Sequence, residues 1–567
     1  MTRRFPAGRI IIFLFVIIAA VCYPIITNRF PSPQSPAPAA AAEKEDSLLR
    51  VLLLPLDSRP PCSDYVVRDS RLAGIGVILP PKELMDYYTQ PGQYMEMRKA
   101  LLTIAAEKKP DAIIISADQL MAGGLLASRD KLITTEERQS AMDFLRRLHR
   151  DNPTIPIHVF SILPRLLPPP EITLYEERLA ITKYARLEEK AELGEATTDE
   201  IAQLRKLQDF TDPDNYIKPQ NLKRYQAIHP THEKTAKALA DLTREGTIAE
   251  LFIGQDDGEK YGPGNRERRH LMENFGDSDR LHLVRGADEL ALSIITRLAV
   301  RHTGISPSVE VTYSVYRDGS EFFPYMAASL ADTSAEEISL LGLTKHHNAA
   351  SDEKAADITL FIHAGDKTPE AMSARRKAVP LLFGLISEAD TNVALVDLSR
   401  SFTTEETLLP LLSRKGFPLH RLTSYSGWNT ASNSIGTALC EAVLTHIGQQ
   451  RCHQQSQRQQ LAGLAKEILN AHFAEDSIYL KDSIDRINGE FYRRGFFNTG
   501  DLDLDRDYRW LTILNDYALK ERSRRLMETA AWRKPYFIDG DAISPQRKKI
   551  QQYFPWPRTF EVNTKVN

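Results

Sequence analysis

The sequence predicts an α/β protein of two lobes, each a parallel sheet with crossover helices. Three observations carry this. Short apolar runs of strand length alternate with segments of helical pattern. Run after run ends in an aspartate or arginine, at the end where open α/β sheets and (β/α) barrels hold their ligands. The alternation then restarts near 301–307, as a second lobe would. One distorted (β/α) barrel is the alternative, and its rim would gather the same residues.

Taken in order, residues 1–30 read as a targeting segment. Arg3, Arg4 and Arg9 precede an apolar run over 10–26, broken late by Pro24. The positive flank predicts an amino end in the cytoplasm and a main domain outside it. Val21 before Cys22 is a poor lipoprotein cleavage residue, and the small-residue site at 40–42 lies far past the run. A single-pass membrane anchor is therefore the preferred expectation, with secretion after cleavage as the alternative. Residues 31–47 open with PSPQSPAPAAAA, a semi-extended linker.

The first lobe is expected over 48–300, with strands at 51–56, 75–79, 112–116, 155–162, 251–254 and 281–284. Helical patterns occupy 66–72, 95–107 and 289–300, and MAGGLLASR (121–129) reads as a glycine turn. Between 171 and 245 an insertion rich in Glu, Lys, Leu and Ala predicts long helices with a solvated face. The second lobe, 301–449, carries strands at 309–314, 358–362, 393–396 and 422–424. Beyond 449 the strands stop and helices are expected at 459–473, 482–493 and 508–528. The apolar, proline-stiffened tail FPWPRTFE (554–561) is expected to pack back on the body.

Composition excludes several functions. A chain of 567 residues exceeds one ordinary core, and 42% hydrophobic with 26% charged residues is a globular balance. A net charge of −3, without a basic stripe interleaved with aromatics, predicts no nucleic-acid partner. Only Cys62, Cys440 and Cys452 lie beyond the targeting segment, without zinc-ligand spacing, so at most one disulfide is possible there.

The candidate catalytic residues lie in LFIGQDDGEKYGPGNRE (251–267). A buried strand ends by delivering two adjacent carboxylates, Asp256 and Asp257, to a glycine- and proline-rich loop. Asp57 with Arg59, Asp118 with Arg129, Arg165, and Asp288 with Glu289 follow other strands and would converge on one rim as substrate-binding groups. The competing reading is a set of loop-fixing ion pairs and helix caps. In YSGWNTASNSIGTAL (425–439), Tyr425, Trp428 and Asn429 are further binding candidates. Trp428 offers a face for a sugar or base, and the polar residues offer a helix start.

No P-loop, GxGxxG, GxSxG or HExxH occurs, so no cofactor is predicted. Carboxylate-rich rims suit Mg²⁺ or Ca²⁺, but no fixed spacing supports a metal site, and none is predicted. Paired carboxylates, a possible aromatic platform and an outward location point to a glycan-active enzyme, a glycoside hydrolase. Adjacent carboxylates resemble those of hexosaminidases that use the substrate's own acetamido group. A membrane-anchored protein that only binds an envelope glycan or small polar ligand is the alternative, and a metal-dependent hydrolase a further one.

LLPLDSRP (53–60), SADQLMAGGLLASR (116–129), GQDDGEKYGPGNRE (254–267), GADE (286–289), YSGWNTASNSIGTAL and WPRTFE (556–561) together resemble a bacterial family, domain of unknown function 4127. The resemblance runs from about 49 to 561. It implies that the motifs belong to one site and implies no particular reaction.

Overall fold

The computed structural model describes residues 47–566 apart from 277, 315–318, 347–354, 388–391, 497, 528–535, 539–540 and 544–549. The expected anchor and nearly all of the linker, 1–46, lie outside the described residues. Among those described, no helix is long and apolar enough to cross a membrane.

The first sheet has six parallel strands: β1 (Leu49–Leu54), β2 (Ile75–Ile78), β3 (Ala112–Ser116), β4 (Ile157–Leu163), β5 (Glu250–Gln255) and β6 (Leu281–Arg285), in the order β2-β1-β3-β4-β5-β6. The second has five: β7 (Ser308–Tyr313), β8 (Thr344–Lys345), β9 (Ile358–Gly365), β10 (Asn392–Ser399) and β11 (Ser424–Ser426), in the order β8-β7-β9-β10-β11. Both sheets are open, so the strands do not close into one barrel. Both also follow one plan, with the first strand between the second and third and later strands added outward. The chain reverses direction of growth beside that first strand, which leaves a crevice at the carboxyl ends.

β3, β4 and β5 are buried along their whole length. Helices cover both faces of a parallel sheet, so its central strands read as continuous apolar runs rather than alternating ones. Gly254 closes β5 where nothing larger fits. A Cβ there would stand 2.6 Å from the Gly286 carbonyl oxygen and 2.8 Å from Ile162 Cδ1.

Helices Leu290–Thr303 and Ala431–Arg451 join the two sheets through one core that includes Val51 and Phe252 of the first and Leu360 and Val396 of the second. Ala431–Arg451 is buried nearly all round, which accounts for its small residues. A Cβ on Gly448 would meet the Leu72 carbonyl oxygen at 2.1 Å. At the amino end of the first sheet, Glu250 gathers His282, Arg297 and Arg301 at 3.0, 2.9 and 2.8 Å. This cluster, with Glu250 and Arg297 buried and Arg301 half-exposed, joins β5, β6 and the following helix, at the end away from the candidate residues.

The insertion forms helices Tyr175–Glu192, Thr198–Gln208 and Pro219–Glu245, with a small core of its own around Ile181, Tyr184, Leu222 and Tyr225. Two expectations need correction. Residues 121–129 are largely helical, in Ala117–Ala122 and Leu125–Ser128, and only Gly123–Gly124 between them makes the turn. Strands also recur beyond 449: Ile550–Tyr553 pairs antiparallel with Asn563–Val566, and Tyr536–Ile538 with Asp541–Ile543. The helices of that region are Gln455–His472, Ile484–Arg493 and Leu504–Met527. A π-helical stretch, Phe473–Ser483, joins the first two and is buried almost throughout.

Candidate active site

The first sheet presents its carboxyl ends to a cleft of about 520 Å³. Arg59 enters it after β1, Arg165 after β4, Asp256 and Asp257 after β5, and Asp288 after β6. Arg129 arrives from the helical turn after β3, and Asn429 from the loop after β11. Seven of the twelve candidate residues are thus brought together. The insertion adds Tyr175, Leu179 and Thr182, the π-helical stretch adds Leu480, and the tail adds Arg558 and Phe560.

The other five stand behind the cleft or away from it. Asp57 is fully buried, and its carboxylate accepts from Arg59 Nε at 2.9 Å and Nη2 at 2.7 Å. It orients the arginine rather than meeting a ligand. Asp118 accepts from the Ile162 backbone N–H at 2.9 Å and so ties β3 to β4. Glu289 is buried beneath its own loop, accepting from the Ala287 N–H at 3.2 Å. Tyr425 donates to Asp397 at 3.1 Å, while Asp397 accepts from the backbone N–H groups of Leu408 and Leu409. Trp428 packs among Tyr479, Leu480, Phe491 and Phe554 and donates to Thr437 Oγ1 at 3.4 Å. Its face is therefore covered. The aromatic surface of the cleft comes instead from Phe560 of the WPRTFE motif and from Tyr175, Tyr325 and Phe402, which the sequence did not single out.

Charge within the cleft is unevenly paired. Arg59 bridges Asp57 and Asp288, donating to the latter at 2.5 Å, and Asn429 adds a bond to Asp288 at 3.3 Å. Arg129 makes an ion pair with Asp256. Burial works against that charge, but Arg129 and then Arg165 hold the Asp256 carboxyl below its ordinary range. Asp257 differs: among the described residues no donor bonds its carboxyl. Burial and then the adjacent Asp256 charge push it up to about 7, against the pull of Arg129 and Arg165. Arg165 has no carboxylate within ion-pair distance among the described residues and donates only Nε, to the Leu167 carbonyl oxygen at 3.2 Å. Burial and the neighbouring Arg129 lower its pKa to about 10, against Asp256 and Asp257.

The backbone is strained around the cleft. Tyr325, Phe402 and Asn429 have φ of +64°, +54° and +37°, and all three line it. Asparagine tolerates this region; for the two aromatic residues it costs on the order of 1–3 kcal/mol each. Such strain persists where packing over-determines the position, often at ligand sites.

The tail completes the wall. Trp556 donates to Ser58 Oγ at 3.0 Å and lies under the Arg59 guanidinium, 5.5 Å from its ring centroid. Arg558 is paired with Glu561 and also stacks over Trp556. Of these only the motif WPRTFE gave a sequence signal; Tyr175, Tyr325 and Phe402 gave none.

A model of the family described as "Protein of unknown function (DUF4127)" matches residues 51–565. The chain belongs to the DUF4127 family. No curated protein and no solved structure matches it. The matched span takes in every residue of the cleft, from Arg59 to Phe560.

Two groups of possible metal ligands lie among the described residues: Asp57, Cys62 and Asp288, and Asp69, Glu441 and His472. In the first, the Arg59 guanidinium already stands where a cation would, bonded to both carboxylates. In the second, His472 has Glu441 at 2.7 Å on Nε2 and Asp476 at 3.1 Å on Nδ1. Burial opposes its charge, but these carboxylates together raise its pKa well above that of an ordinary histidine. Both ring nitrogens are thus already engaged by carboxylates.

Proposed function

We propose that the cleft is the active site of a glycoside hydrolase working outside the cytoplasmic membrane, with Asp257 as general acid and Asp256 as the ionised partner. The observation that carries this reading is the split between two adjacent carboxyls in one cleft. Asp256 is ion-paired and held in its charged form, while Asp257 has no ion-pair partner among the described residues and is raised to about 7. Environments that push two titratable groups apart assign the acid and base roles in glycosidic cleavage.

In the substrate-assisted form, Asp257 gives its proton to the leaving oxygen as the glycosidic bond breaks. The substrate's acetamido oxygen closes on the anomeric carbon, and Asp256 orients the acetamide N–H. Water then opens the ring so formed, returning its proton to Asp257. Tyr175, Tyr325 and Phe560 suit the apolar faces of sugar rings, and Arg165 suits a hydroxyl or carboxylate. A volume near 520 Å³ accommodates one or two sugar units. The location outside the membrane rests on the arginine-flanked apolar run at the amino end.

The test is a screen of the purified protein against aryl N-acetylhexosaminides and cell-wall fragments. Turnover abolished by Asp256→Asn and Asp257→Asn supports the assignment. Turnover surviving both substitutions together sinks it. Saturable binding of an unchanged glycan would favour the binding protein, and activity lost to a chelator and restored by Mg²⁺ or Ca²⁺ the metal-dependent hydrolase.

A further inference from the structure

A second cavity, of about 280 Å³, lies where the inserted helix Pro219–Glu245 packs on helix Pro263–Phe275, the helix that follows the Asp256–Asp257 loop. Each helix turns one histidine and one glutamate toward it: His229 and Glu233 from the first, Glu267 and His270 from the second. Spacings of four and three residues put each pair on one helix face. The pairs cross the interface, with His229 Nδ1 3.3 Å from Glu267 Oε1 and His270 Nδ1 3.5 Å from Glu233 Oε2.

The inner pair is anomalous. His229 is 5% and Glu267 3% exposed, yet among the described residues neither ring nitrogen of the histidine and neither carboxylate oxygen of the glutamate makes a hydrogen bond. Leaving four such atoms unsatisfied is costly, and native interiors seldom do so. Their 3.3 Å approach does not have the geometry of a hydrogen bond. It does match the separation of two ligands on one tetrahedral ion, since bonds of about 2.1 Å place neighbouring ligand atoms roughly 3.4 Å apart. Glu188 and Glu233 also line the cavity but are paired with Arg266 and Lys237, which leaves Glu267 as the lining carboxylate with no lysine or arginine partner among the described residues. Mixed imidazole and carboxylate donors on facing helices suit a divalent transition metal better than Ca²⁺ or Mg²⁺.

We propose that His229 and Glu267 bind a divalent ion of the zinc class, with water from the cavity completing its shell. No third side chain among the described residues shares the spot closely enough to be an inner ligand. The ion pins the insertion to the helix behind the Asp256–Asp257 loop. Its place in the fold is structural and independent of the reaction assigned to the cleft.

The experiment is a titration of the full, untagged, chelator-stripped chain with Zn²⁺ by calorimetry, and with Co²⁺ by visible absorption. Expected are saturable binding of one equivalent, d–d bands of low-symmetry Co²⁺ without a thiolate charge-transfer band, and a higher melting temperature with Zn²⁺. Glu267→Gln, nearly isosteric, and His229→Gln should each weaken binding at least roughly tenfold. X-ray absorption at the zinc edge of the unmodified chain, which needs no variant to fold, should show histidine scattering in a nitrogen and oxygen shell. Absence of saturable binding, a thiolate band, or binding undiminished in both variants would overturn the proposal.

Discussion

Arg129 and Asp256, 127 residues apart in the chain, form a buried ion pair in the wall of the cleft, and Asp257 beside them has no such partner among the described residues. This asymmetry sets an expected pH profile. An acid raised to about 7 is protonated below that value and spent above it. Turnover should therefore fall as pH rises through about 7, and fall again at low pH when Asp256 takes a proton. Asp257→Asn should cost about 10²- to 10⁴-fold in kcat and abolish the alkaline limb. A limb that persists in the residual activity of that variant would assign the titration to another group.

Arg165→Gln should raise KM roughly tenfold and leave kcat within about twofold, the pattern of lost ground-state binding. No carboxylate is stranded by the change, so the melting temperature should hold. Steady-state kinetics and a melting curve on one preparation check both parts. A drop in kcat with KM unchanged would show that Arg165 acts on the reacting atoms instead.

Glu250 lies at the far end of the same sheet. Burial opposes its charge, yet His158, His282 and Arg297 together hold its carboxyl far below the ordinary 4.5. A depressed folded pKa contributes stability above the unfolded value and loses it as pH falls below that. The unmodified chain should therefore lose about 1.4 kcal/mol per pH unit below about 4.5, relative to Glu250→Gln. Near neutrality the variant should be the weaker by about 3–5 kcal/mol, because it leaves the buried Arg297 without its carboxylate. Urea midpoints at several pH values would show the two curves converging on acidification; parallel curves would refute this.

Trp556 is fully buried against Ser58 and Arg59. Trp556→Ala should cost about 3–5 kcal/mol and loosen the tail. Limited proteolysis should then cut near 550–566 at a protease level that leaves the unmodified chain intact. Turnover should fall with it, since Arg558 and Phe560 form part of the cleft.

Much of the fold is legible because parallel strands announce themselves. β3 stands at 112–116, where the apolar run places it, and the aspartates and arginines at strand ends do gather on one side. The helix Thr135–Asp151 escaped that reading although Thr134 and Glu137 form a capping box at its start. The site was legible only where one local segment sufficed. Trp428 is covered by residues from 479 to 554, and a pattern local to 425–439 carries no trace of them. Asp288 and Glu289 are adjacent, but the chain turns into a helix between them, so one meets the cleft and the other is buried. Asp57 and Asp288 both follow strands, and only the folded chain shows Arg59 standing between them.

The strap formed by the tail bears on the order in which the protein becomes competent during synthesis. Asn563 donates to Asp64 at 2.7 Å, the Thr564 N–H donates to Tyr65 at 2.9 Å, and Trp556 reaches Ser58. The loop and helix that follow the first strand thus wait for partners translated some 500 residues later. Both sheets can assemble while that stretch is still inside the ribosome, but the cleft then lacks a wall. Binding ability should appear abruptly once that stretch has emerged rather than grow with length, and a nonsense codon shortly before Trp556 should yield a folded body with an inert site.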